Sequence, residues 1–329
     1  MRKVLIALCF LAAAISINYS HATNKDDYNW QLARKLILSN KPIQAISVLN
    51  SLLRKSDLSS DIDKNQVYLT LGRAFYQLEN YVESIKNYQN ITKSSDFWPL
   101  AVEEMAWAYV ALGKEEMALA KLQSLMTPIF DQVIGPEPYF LKAFAHLKIC
   151  DYIGVFKTTD HFKKRYKDRI LNLENLVKNN GKHSESIQLI TMGKNGNLSF
   201  DLLTKKLEAF PFMFHRDKYL QRYFEELKRK SKSAEISIFK RLKYLAQRDL
   251  QEIRKNLKLL HLIEAEAIQR VHIAYEPNNK FRNHANFGGS EWLKFPSQGE
   301  EIWIDEIDKF HVQVKDCPKL EGRKKWAKK

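Results

Sequence analysis

The chain is poor in the residues that break helices. It has 11 glycines and 9 prolines in 329 residues, which excludes a turn-rich barrel, a collagen-like chain and a long flexible linker. It has no Gly-rich phosphate loop, no Cys-x-x-Cys, no His-Glu-x-x-His and no Gly-x-Ser-x-Gly, so the familiar nucleotide, redox, zinc-protease and serine-hydrolase chemistries have no foothold. The nine histidines are scattered, and His261 and His272 stand eleven apart, which is not a ligand spacing. No metal, cofactor or catalytic residue is expected. What is present is apolar and basic. Hydrophobic residues make up 45%, and 53 Lys+Arg face 38 Asp+Glu, too much apolar content for a disordered polycation. The composition favours an all-α globular protein.

Only one long apolar run occurs, Val4 to Ile17, after Arg2 and Lys3 and before Ser20-His21-Ala22. A positive start, a short apolar stretch and a small-x-small ending read as a signal peptide over residues 1–22, cleaved after Ala22. At about 14 residues the run falls short of the roughly 20 that span a bilayer. Cys9 lies inside it with Leu8 before it, so it is not a lipoprotein cysteine. The expected product is exported and not transmembrane, with 51 Lys+Arg against 38 Asp+Glu. It retains Cys150 and Cys317, which in an oxidising compartment either pair or stay as separate thiols.

Residues 23–165 repeat themselves. One window reads Tyr68, Leu71-Gly72, Phe75, Leu78, Tyr81, Ser84, Tyr88, Ile91. Another, 34 residues on and without a gap, reads Val102, Met105-Ala106, Tyr109, Leu112-Gly113, Ala118, Leu122, Leu125. Small residues, Gly72 and Ala106, fall where two helices must approach closely. A third window carries Tyr139, Ala143, Tyr152 and Phe162, with Val155 where a smaller residue would fit better. A fourth, upstream, has Trp30, Ala33, Leu36, Ala45, Leu49 and Leu52. Each reads as helix, short turn, helix.

The pattern resembles the tetratricopeptide repeat, in which a Trp-x-x-Leu-Gly-x-x-Tyr helix precedes an Ala-x-x-x-Phe-x-x-Ala helix. The resemblance covers roughly residues 26 to 165, departs from the pattern at Ser84 and His146, and implies a helical-hairpin solenoid with a concave groove. A second stripe on the first helix of each unit is what the family turns toward that groove. It runs Gln66, Leu69, Arg73, Tyr76, then Leu100, Glu103, Trp107, Val110, then Glu137, Phe140, Phe144, Leu147. Of these, Leu69, Arg73, Tyr76, Glu103, Trp107, Val110, Phe140 and Phe144 are the candidate partner-binding residues. Large aromatics with an Arg are typical anchors for a helix or extended peptide. The bland alternative packs the same aromatics on neighbouring helices.

Residues 166–277 read as a basic helical region. A helix over 167–180 stops at Asn179-Asn180-Gly181, and Ser199 caps another that ends before Pro211. From Ser233 an apolar stripe steps by three and four through Phe239, Leu242, Ala246, Leu250, Ile253, Leu257, Leu260, Ile263, Ala267 and Val271. That spacing predicts one helix of about 40 residues, forming a hairpin with residues 215–230 or a coiled coil with a second chain. Residues 201–260 hold 16 Lys+Arg against 8 Asp+Glu. Export argues against nucleic acid as their partner. The excess reads as a solvated face or as a binder of anionic envelope surfaces.

Residues 278–329 change character, with a half-buried strand pattern over Phe310–Val314, a turn at Asp308-Lys309 and therefore a short C-terminal β segment. Glu300, Glu301, Asp305, Glu306 and Asp308 form an acidic knot without liganding spacing. Phe295, Pro296, Gly299, Glu300, Trp303, Asp305 and Glu306 make the ending similar to that of exported repeat proteins of the gliding-motility machinery in Gram-negative bacteria. That resemblance implies a periplasmic component of an envelope complex and no enzyme activity. The reading as a whole is a periplasmic scaffold binding an envelope protein in the groove, with electrostatic binding to anionic wall or membrane surfaces as its rival.

Overall fold

The structure, a computed structural model, describes residues 25–55, 58, 62–127, 130, 134–195, 209–212, 214, 217–229 and 232–274, with four more residues in two short strands. The expected signal peptide, the helix capped by Ser199, Cys317 and nearly all of residues 278–329 lie outside them. The described chain is all-helical, and it divides into two compact units after Leu112.

The first unit holds α1 (Lys25–Leu38), α2 (Pro42–Leu53), α3 (Lys64–Gln77), α4 (Tyr81–Gln89) and α5 (Trp98–Ala111), each packed on the next in chain order. Pro42 and Pro99 sit in first turns, where a missing N–H costs nothing. Asp63 and Asn80 cap α3 and α4 by accepting from the N–H groups of Asn65 and Glu83, at 2.8 and 3.2 Å. The expected core residues are inside: Trp30, Ala33, Ala45, Leu49 and Leu52 are buried together with Val67 and Leu71.

The second unit holds α6 (Glu115–Leu125), α7 (Glu137–Lys148), α8 (Tyr152–Lys178), α9 (Ser184–Lys194), α10 (Lys218–Lys228) and α11 (Lys232–Ala274). Here α6 packs on α7, and α7 on α8. The stripe that predicts a long helix forms α11, 43 residues and about 65 Å at 1.5 Å per residue. Its main cover is α8, with α10 and α7 packing on it as well. The expected hairpin with residues 215–230 therefore supplies only part of that cover. The boundary expected at residue 165 falls inside α8, which runs unbroken to the stop at Asn179. Gly181, at φ +81°, lets the end of α8 lie against the backbone of Phe239, where any Cβ would collide.

Four hairpin turns share one geometry. Asn40, Glu79, Gly113 and Cys150 each have a left-handed backbone, with φ of 55°, 59°, 68° and 60°. Each stands two residues after one helix ends and two before the next begins. In three of them the following N–H bonds back to a carbonyl in the last turn: Lys41 to Leu36, Asn80 to Phe75 and Asp151 to His146, at 2.9–3.0 Å. At the last turn Val155 is fully buried at the position that wanted a small residue, and its neighbour Gly154 provides the room. A Cβ on Gly154 would run into Asp151 and His146.

Outside the helices, Leu293–Lys294 pairs antiparallel with His311–Val312, Leu293 opposite Val312. That is two residues per strand, and the turn expected at Asp308-Lys309 lies outside the described residues. His311–Val312 packs beside α6. Cys150 is disulfide-bonded, and the chain has only two other cysteines, Cys9 and Cys317. Cys317 follows Val312 by five residues, a reach of about 17 Å when extended, and Val312 already lies beside a helix packed on α7. Peptide mapping without reduction is therefore expected to join the Cys150 peptide to that of Cys317. A Cys150–Cys9 link would reverse the assignment.

The segment Ala209–Phe214 is tied down by two buried charges. Arg169 donates to the Phe210 carbonyl at 3.2 Å and lies over the Phe212 ring, and the Phe212 N–H donates to the Asp249 carboxylate. Burial pushes the Asp249 carboxyl up to about 6, although the Phe212 N–H and nearby arginines pull it down. A carboxyl raised on folding stabilises fully below its unfolded value near 3.8, and that contribution is lost as pH rises through 6. Asp249→Asn keeps an acceptor and removes the titration. Its stability relative to the parent is expected to rise between pH 4 and 7, by an amount on the order of 3 kcal/mol, and its relative melting temperature with it. Parallel thermal melts across that range test it, and a constant difference would refute it.

Candidate functional site

In the first unit the stripe of α3 and α5 opens on a cavity of about 400 Å³, lined by Ile37, Arg73, Tyr76, Gln77, Tyr88, Glu104 and Trp107. Its placement follows from local sequence. Gly72 has no Cβ, so the Tyr88 ring of α4 lies directly on α3, where any side chain would overlap it. Ser84 Oγ donates to the Gly72 carbonyl at 2.8 Å and closes the same crossing. Tyr88 is thereby 2% exposed, and its hydroxyl reaches Glu104 Oε2 at 2.9 Å.

Glu104 is the hub of the wall. Arg73 Nε lies 2.9 Å from each of its oxygens, and Arg73 Nη2 donates to Oε1 at 2.5 Å. Two parallel N–H···O bonds fix the guanidinium plane. Burial opposes the charge on Arg73, but the hydrogen bonds and charge of Glu104 outweigh it and raise the pKa. Burial and then the Glu104 charge push the Tyr88 phenol far up, so it remains a donor at any physiological pH. Tyr76 is raised by burial and by Tyr81, whose ring meets it edge-on at 5.1 Å. The wall is therefore aromatic and aliphatic around one internally neutralised ion pair. The unit as a whole is neutral too, since residues 25–112 carry ten Lys+Arg and ten Asp+Glu.

Of the stripe residues singled out by sequence, Arg73, Tyr76 and Trp107 meet in this cavity. Leu69 is 2% exposed and belongs to the core, and Val110 is buried as well. Glu103 is half-buried beside the hub residue and does not line the cavity. Phe140 and Phe144 belong to the second unit. They are half-buried on α7, stacked 6.1 Å apart with Lys148 over the Phe144 ring, on a helix packed against α6, α8 and α11. Sequence reasoning missed Ile37, Gln77, Tyr88 and Glu104. Aligning Ala33 with Gly72 would have put Ile37 at the position of Tyr76. Nothing in the sequence marks Glu104, because its role depends on a partner 31 residues away.

The cavity offers apolar surface and hydrogen-bonding amide and guanidinium groups. Among the described residues no cluster of His, Cys, Asp or Glu suits a metal ion, and no helix is long and apolar enough to cross a membrane. No protein family matches the chain, nor does any curated protein or solved structure.

Gly72→Ala tests the construction of the wall. Tyr88 is pinned at both ends, so the added methyl is expected to lower stability by about 1–3 kcal/mol. A melt unchanged from the parent would show that the crossing is looser than described.

Proposed function

We propose that the chain is an exported scaffold of the cell envelope that holds a partner polypeptide on the first unit, with Tyr76 and Trp107 as anchors. One observation carries the reading. Three residues chosen from a repeating stripe, Arg73, Tyr76 and Trp107, line one cavity of about 400 Å³ whose charges cancel internally. Such a wall favours apolar side chains of an amphipathic helix or extended segment, and Gln77 supplies an exposed amide for its backbone. The four matching turns and the neighbour-to-neighbour packing of α1 to α5 support the tetratricopeptide-like reading. The signal-like start and the ending similar to gliding-motility envelope proteins support a periplasmic place. No chemistry of turnover enters the proposal.

A photo-crosslinking residue at Gln77 in cells, followed by identification of the captured neighbours, tests it. Tyr76→Ala with Trp107→Ala is expected to reduce capture at least tenfold. Because the unit is neutral, capture in extracts is expected to change little between 50 and 500 mM salt. Undiminished capture by the double variant would sink the groove assignment.

A further inference from the structure

The positive charge of this protein sits almost entirely on one side of its division. Residues 25–112 balance, while residues 113–329 carry 41 Lys+Arg against 28 Asp+Glu. The long helix α11 shows how that excess is displayed. Three of its five acids turn to partners on other segments, a fourth pairs within the helix and the fifth stays exposed. Glu235 pairs with Lys194 at 2.7 Å, Glu264 with Lys163 at 3.4 Å and Glu266 with Arg270 at 2.9 Å. Asp249 is buried on the Phe212 N–H, while Glu252 is exposed, within reach of the charges of Glu137 and Lys255.

What remains outward on α11 includes a face of lysines and apolar side chains, bordered on one side by Glu252 and Glu266. Lys240, Lys255 and Lys258 are exposed on it, Lys255 within reach of the Glu252 charge. Large apolar side chains stand on the same face, with Ile236 57% exposed, Tyr244 52%, Leu262 67% and Ile268 58%. At 100° per residue all seven fall within about half of the helix circumference, over roughly 48 Å of axis. Beside them an open groove of about 950 Å³ runs between α8 and α11, with Val177, Leu250 and Leu259 as apolar surface and Lys178 at its edge. The one acid lining it, Glu174, is taken by Arg254 at 2.7 Å.

We infer that this face of α11, with the adjoining groove, docks the protein on a bilayer of anionic phospholipid. Lysines alone would suit any polyanion. Exposed isoleucine, leucine and tyrosine in the same row suit a surface that is charged in its headgroups and apolar just beneath, as for helices that lie in a membrane interface. An acidic polypeptide or wall polymer gives no such return for four exposed apolar side chains. The helix lies on the surface and does not cross it. This inference does not depend on the groove of the first unit.

The test is sedimentation of the full chain with vesicles of phosphatidylcholine alone or with 30% phosphatidylglycerol. The parent is expected to pellet with the anionic vesicles only, and to be released as salt rises from 50 to 500 mM. Lys240→Glu with Lys255→Glu and Lys258→Glu is expected to weaken binding at least tenfold, and Leu262→Ser with Ile268→Ser several-fold. Circular-dichroism melts check that both variants fold. The apolar run Val4–Ile17 is common to every variant, so it cancels in the comparison. Tyr76→Ala with Trp107→Ala is expected to bind vesicles like the parent, which separates this face from the groove. Equal binding to neutral vesicles, or equal binding by the lysine variant, would overturn the inference. So would tight binding to soluble polyglutamate by a chain that ignores the anionic vesicles.

Discussion

Four times, with the same spacing, three residues join two helices in this chain, and each time the middle one takes the left-handed region. Only one of the four is glycine. Asn40, Glu79 and Cys150 accept strain on the order of 1 kcal/mol each. Packing of the paired helices offsets it. Within a unit, the equal turns bring each second helix back along its predecessor, and a small residue there decides how close the two come, as Gly72 does beneath Tyr88. The cavity, its hub carboxylate and the burial of Tyr88 all follow from this repeated closure.

The cavity wall shows how a partly exposed ion pair earns a structural role. Arg73 keeps 43% of its side chain exposed, so the pair with Glu104 adds modestly to stability. Its larger effect is geometric. The bidentate contact fixes the guanidinium plane, the Tyr88 hydroxyl fixes the carboxylate, and the two aromatic rings that line the space are left without a net charge between them. In contrast, the second unit carries an excess of Lys and Arg, and some of its acids bridge helices, as Glu174 does with Arg254 and Glu264 with Lys163.

Much of the fold was legible because a helical stripe reports burial directly. Trp30, Ala33, Ala45, Leu49, Val102, Met105, Tyr139 and Phe162 were all placed in the core by spacing, and all are buried. The long helix was equally plain from its uninterrupted steps of three and four. What spacing does not carry is the identity of the neighbour. It predicts that α11 needs cover and is silent on α8 being the main cover. The same limit applies to the cavity. Arg73, Tyr76 and Trp107 share a stripe and were readable, whereas Glu104 earns its place through Arg73 and Tyr88 on other helices. Leu69 lies on the same stripe and is nonetheless core, since a stripe fixes direction and leaves depth open.

The continuity of α8 has a consequence for how such a chain changes over evolutionary time. Its first half closes the last helical hairpin, and α11 lies along it from Glu174, paired with Arg254, back to Lys163, paired with Glu264, so one rod serves both partners. Hairpins inserted or lost upstream leave that rod intact. An insertion within it, after Lys163, would shift one part of it out of step with α11. Growth and loss of modules should therefore be confined to the amino-terminal side.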